Sequence, residues 1–254
     1  MRFYVGMHQP HKVCHLDRVM VSYQRLRDRR SDFAPPLGSW MLDSGAFTEI
    51  STHGGYRDAP EVYAAAVARW ARVARMDCAV SQDYMCEPHI IQRTGLDIAA
   101  HQRLTIDRYD ALRALVPTAI HLMPVLQGYL PEQYAAHVAA YGARLLPGMW
   151  VGVGSVCKRN GNVRDIAAVL RAIKQVRPDV RLHGFGLKLT ALQSHEVRAM
   201  LHSADSMAWS FAARRTGGDA NGWHEAAAFA ARIDAGVPRR PAPLLDYLED
   251  ACPA

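Results

Sequence analysis

Apolar residues in this chain fall into short runs, and each run stops at a polar residue or a glycine. Trp40-Met41-Leu42 stops at Asp43, with the small residues Ser44, Gly45 and Ala46 behind it. The same grammar recurs in CAVSQD ending at Asp83, in IHLMPVLQG ending at Gln127, in MWVGVGS, in RLHGFGLK and in SADSMAWSF. Between the runs lie longer stretches with apolar side chains at helical spacing, EVYAAAVARWARVARM being the clearest. Strands that end in chemically capable residues and alternate with helices predict a closed parallel barrel. The expected fold is α/β, a single (β/α)8 TIM-type barrel with its site on one rim.

Eight strands fit the pattern. They are Arg2 to Gly6, Val19 to Tyr23, Ser39 to Asp43, Asp77 to Ser81, Ile120 to Leu126, Trp150 to Val153, Arg181 to Phe185 and Ser206 to Trp209. QRLRDRR reads as a charged helical segment, and Thr52 to Ala59 as a loop able to cover a site. Pro60 and Pro131 suit helix starts. Further helical stretches are expected over residues 90–115, as one helix or a pair, and at Val163 to Val176, Leu192 to Leu201 and Trp223 to Ala235. The barrel should occupy residues 1–236, with a Pro-rich linker and a short helix over 237–254.

Composition adds bounds. The chain has 254 residues, half of them apolar, which suits one large core. A formal charge of +6 makes a polyanionic partner plausible, and guanidinium groups suit phosphate. A solvated basic surface would give the same totals. Five cysteines without a CxxC pair point to a reducing compartment. No apolar run approaches membrane-spanning length. The expectation is a cytoplasmic protein, of a bacterial or phage-infected cell, with no membrane partner.

On a barrel, the rim would collect His8, Asp43, Asp83, Gln127, Gly152, Gly154, His183, Lys188 and Asp205. Converging carboxylates repel when ionised, so they shift their pKa, bind a metal, or face a substrate that becomes cationic. The histidines are scattered, with no HxH on the first strand, which makes metal the minor reading. Glycosides fit the third case, since their cleavage passes through an oxocarbenium ion. Gln127 and the backbone of Gly152 to Ser155 suit the edge of a heterocyclic base. His183, in an apolar strand, reads equally as a hydrogen-bonded core histidine, and His8 and His11 divide between loop structure and substrate contact. The residues alone lead to glycosyl chemistry with a planar polar leaving group, and no further.

The ordered set LDSGAF, SQDYMCEP, VLQGY, VGVGS, HGFGLK and ADSMAWS resembles the tRNA-guanine transglycosylase superfamily. It is most similar to the DpdA-like branch that places 7-deazaguanines in DNA, over about Phe3 to Arg215. The resemblance implies that Asp205 is a nucleophile toward C1′ and Asp43 the proton-handling carboxylate. It implies that Asp83, Gln127, Gly152, Gly154 and Ser155 hold the base, with Ser44 and His183 as further substrate contacts. Lys188 would meet a phosphate, and Arg214 and Arg215 could clamp flanking phosphates. No metal or redox cofactor is implied. A free 7-deazaguanine such as 7-cyano-7-deazaguanine (preQ0) is the co-substrate, DNA the polymer, and other DNA-modification proteins are candidate partners.

The tRNA-acting relatives carry a CxCxxC…H zinc motif after the nucleophile. Here only His224 and Cys252 follow Asp205, too few for a tetrahedral site. The expectation is therefore a barrel without that zinc subdomain, acting on DNA. A tRNA-directed transglycosylase and a nucleoside or DNA glycosidase remain the alternatives.

Overall fold

The computed structural model describes residues 1–157 and 162–235. The expected linker and terminal helix over 237–254, with Cys252, lie outside them. Among the described residues all strands belong to one parallel sheet. They are β1 (Arg2–Met7), β2 (Arg18–Ser22), β3 (Ser39–Asp43), β4 (Met76–Val80), β5 (Leu122–Met123), β6 (Val125–Leu126), β7 (Trp150–Val153), β8 (Arg181–Gly184) and β9 (Leu201–Ser206). The order across the sheet is β5-β4-β3-β2-β1-β9-β8-β7-β6.

The ends of that order are two halves of one strand, divided at Pro124, which has no N–H to donate to a neighbour. β5 bonds to β4 and β6 to β7. The two edges therefore meet at Pro124 and the sheet is nearly a closed cylinder, the TIM-type barrel expected. The expected strand Ile120 to Leu126 is real but interrupted.

Strand alternation sorts the side chains into two cores. Met41 points into the barrel beside Tyr4, Met20, Met123 and Trp150, whereas Trp40 and Leu42 face the outer layer of helices. Asp43, two residues past Met41, falls on the interior side at the carboxyl end of β3. Each fully buried large side chain contributes roughly 1.5–3 kcal/mol, which fixes the rim geometry firmly.

Three expectations need correction. QRLRDRR is not a helix; only a 3-10 turn at Tyr23–Arg25 follows β2. The segment Leu192 to Leu201 is not one helix but a short turn at Leu189–Leu192 and a helix at His195–Met200. The last strand is Leu201–Ser206 rather than Ser206 to Trp209, and the apolar residues after it begin the helix Ala208–Arg215. Asp205 therefore lies within the strand. Within MAWSF, Trp209 packs inward from that helix while Phe211 is exposed.

Candidate active site

Segments at the carboxyl ends of β3, β4, β6, β7 and β9 supply the polar groups. At β3, the chain turns into the helix Ala46–His53 through Gly45, at φ 74°, where a side chain would be strained. The Gly45 N–H donates to Asp43 Oδ2 at 3.1 Å. Burial, then the neighbouring charge of Asp205, pushes the Asp43 carboxyl up to about 6.

Past β4, the peptide of Asp83 is held from both sides by one hydroxyl. Its N–H donates to Tyr56 Oη at 2.9 Å, and the Tyr56 hydroxyl donates to its carbonyl at 3.0 Å. Tyr56 belongs to the 52–59 segment, which braces the Asp83 peptide but contributes no residue to the cavity wall. Its Thr52 and His53 end the helix Ala46–His53. The Asp83 carboxylate accepts from the side-chain amide of Gln127 and, at 3.5 Å, from Ser44 Oγ. Burial pushes Asp83 up to about 7, against the lowering effect of the Gln127 bond.

Gln127, just past β6, is fully buried and fixed at every polar atom. Its backbone N–H donates to His137 Nδ1 at 2.9 Å, and its carbonyl accepts from Gln102 Nε2 at 2.7 Å. Burial holds His137 down at about 4, so this ring stays neutral and can accept. The Gln127 amide donates to Asp83, and its Oε1 lies 2.7 Å from Ser155 Oγ. Ser155 Oγ also accepts from the Cys86 N–H and lies 2.9 Å from Glu87 Oε2. Its single hydrogen serves Gln127 or Glu87 at any one time. Asp83, Gln127, Ser155 and Glu87 thus form one continuous polar chain, which buried polar groups need for satisfaction.

Asp205 is placed by β9, in register opposite Tyr4 of β1. Its Oδ1 accepts from the Gly186 N–H at 3.0 Å and lies 3.2 Å from His183 Nε2. Among the described residues, Oδ2 takes no hydrogen bond.

A cavity of about 420 Å³ joins these groups. His8, Asp43, Asp83, Gln127, Gly154, Ser155 and Asp205 all line it, so seven of the expected residues converge. The other six do not form its wall. Ser44 stands behind Asp83. Gly152 packs under Phe185, whose ring would lie 2.4 Å from a Cβ there, and so offers the cavity no backbone edge. His183 is fully buried behind Asp205. Lys188 is exposed at the start of Leu189–Leu192, and Arg214 and Arg215 are exposed in the last turn of Ala208–Arg215. Of these, Arg214 comes near the mouth. After burial, the charges of Arg25 and Arg214 push the pKa of His8, a wall residue, downward.

Among the wall residues that sequence reading missed are Glu87, Phe47, Phe185 and Met207. Glu87 precedes Pro88 at the start of the helix Pro88–Thr94, where an acidic residue reads as a cap. It makes no side-chain cap bond and turns to Ser155 instead. Among the described residues, no three His, Cys, Asp or Glu side chains are grouped to hold a metal ion. None of the described helices is long and apolar enough to cross a membrane.

A parallel α/β barrel with a carboxylate-rich pocket at the carboxyl ends of its strands is the architecture of a barrel enzyme. The chain matches the DpdA family, described as DeoxyPurine in DNA protein A, over residues 1–232, and it belongs to that family. No curated protein matches it.

Proposed function

We propose that the protein is a DNA-guanine transglycosylase, a pentosyltransferase that exchanges guanine in DNA for a 7-deazaguanine such as preQ0. The observation that carries this reading is the cavity itself. It holds a carboxylate with one oxygen pinned and the other open (Asp205), a second carboxyl with its pKa near 6 (Asp43), and a polar planar floor. Family membership supplies the class of reaction.

The target nucleotide enters flipped from the stack or single-stranded. Asp205 Oδ2 attacks C1′, the C1′–N9 bond breaks, and its electron pair goes to the departing guanine. Protonated Asp43 supplies the proton that guanine takes up. A free deazaguanine then occupies the pocket, and the Asp43 carboxylate removes its N9 proton. N9 attacks C1′ and Asp205 leaves as a carboxylate. Two inversions give net retention. A carboxyl near pKa 6 suits a group that must give and take the same proton near neutrality. Asp83 accepts from the base N1–H and exocyclic amine, while Gln127 and the Gly154–Ser155 backbone face its other edge.

The test is base exchange. The protein is incubated with duplex DNA and labelled preQ0, and the DNA is digested to nucleosides. Deoxy-preQ0 that disappears with Asp205→Ala supports the reading. Label in tRNA in a parallel reaction would move the polymer assignment. Free guanine without label incorporation would make the protein a glycosidase. No label and no free guanine would overturn the reading.

A further inference from the structure

Behind Asp205 runs a file of buried side chains with a fixed direction. The indole N–H of Trp150 can only donate, and it donates to Ser203 Oγ at 2.7 Å. Ser203 has one hydrogen, and its other partner is His183 Nδ1 at 2.9 Å. That hydrogen therefore goes to Nδ1, which makes Nδ1 the acceptor and leaves the ring hydrogen on Nε2. Nε2 is the atom 3.2 Å from Asp205 Oδ1.

The opposite tautomer fails on counting. With hydrogen on Nδ1, Ser203 would accept twice and its own hydrogen would have no acceptor among the described residues. The Nε2 lone pair would also face the lone pairs of Asp205. Solvent cannot repair either fault, because Ser203 and His183 are both 0 % exposed. The ring is instead enclosed by Phe185, Trp150 and Tyr4, with centroids 4.7, 6.2 and 6.4 Å away.

We propose that His183 is the positioning residue of Asp205: fixed as the Nε2–H tautomer by Trp150 and Ser203, it and the Gly186 N–H hold Oδ1 and so present Oδ2 to the sugar carbon. The tautomer stands on geometry alone, whereas its use in catalysis rests on the exchange reading above. Both donors stay in place through the cycle. They bond more strongly to the carboxylate than to the ester formed at Oδ2, so they favour release of the deoxyribosyl group to the incoming base. His183 touches no substrate and acts through Asp205.

The test has two arms. In the first, protein labelled with 15N-histidine is examined by NMR, and His183 is assigned from the signals lost in His183→Gln. The expected result is a protonated Nε2 and an unprotonated Nδ1 in the wild type, changed in Ser203→Ala. A protonated Nδ1 in the wild type overturns the proposal. This arm needs no turnover and holds even if base exchange is absent. In the second arm, His183→Leu, which has no donor, is compared with His183→Gln, whose amide can reach the Nε2 position. Misplacing the nucleophile should lower kcat about 100-fold in His183→Leu, with KM for the free base unchanged, and His183→Gln should recover most of it. Equal losses in both variants, in proportion to lost Tm, would mean a merely structural histidine. Should His183→Leu not fold, Ser203→Ala takes its place, and an unchanged kcat there overturns the proposal.

Discussion

Gly154 lies against the side-chain amide of Gln127 so closely that a Cβ built on the glycine would stand 2.2 Å from Nε2. A flexible side chain could move aside, but this amide is tied at one end to Asp83 and at the other to Ser155. Gly154→Ala should therefore break the polar floor rather than bend it. The expected result is a KM for the free base raised at least about tenfold, with a stability loss of about 1–3 kcal/mol from polar atoms left unpaired. Steady-state exchange and urea unfolding check the two parts separately.

The two raised carboxyls set the pH profile. Asp43 must be ionised to take the N9 proton of the incoming base, and its pKa is about 6. Asp83 must be ionised to accept from the base, and its pKa is about 7. Because the first step uses protonated Asp43 and the second its carboxylate, kcat should fall about tenfold per pH unit both well below and well above 6, while kcat/KM for the base begins to fall below about 7. Asp43→Asn should remove both kcat limbs and lower kcat by a factor on the order of 100 or more. A pH series on both proteins is the measurement.

Asp83 also carries a stability prediction with a definite sign. Its folded pKa, about 7, lies above the ordinary carboxylate value, so the native state binds the proton more tightly than the unfolded state. Its contribution is fully present below the unfolded pKa and is lost as pH rises through 7. Asp83→Asn removes a buried charge that exists only at the upper end. The variant should melt about 3–6 °C above wild type at pH 8, the gap should close only near pH 4, the ordinary value of an unfolded Asp carboxyl, and base exchange should be poor at both. Scanning calorimetry at the two pH values decides it.

Tyr56 offers a milder change. Tyr56→Phe removes the hydroxyl that both donates to and accepts from the Asp83 peptide. Stability should drop by about 1–2 kcal/mol. The KM for the base should rise several-fold while kcat stays within a factor of about two, because Asp43 and Asp205 are untouched.

Much of the fold and half of the expected site residues were legible, and the divide has a physical basis. Asp43, Asp83 and Gln127 each follow an apolar run, because a barrel strand is apolar until it emerges at the rim. β9 was not legible, since LHSADS is too polar to read as a buried strand. Its Ser203 and Asp205 are satisfied by Trp150, His183 and Gly186, partners at least 19 residues away that periodicity cannot show. Gly152 and Gly154 look alike in VGVGS, yet one makes room for Phe185 and the other for Gln127. Pro124 was visible, but only the pairing of its two flanks with different strands shows that the cylinder meets itself there.

The strand that carries Asp205 is hydrogen-bonded to the strand that begins the chain, Tyr4 standing opposite Asp205. Such a pairing joins segments about two hundred residues apart, and the loop entropy it demands places it among the last contacts made during folding. The oxygen proposed to attack the sugar is therefore set in place by the event that completes the cylinder. Catalytic competence should switch on with the slowest folding phase, and the amides of β1 and β9 should exchange with solvent only when the whole barrel opens.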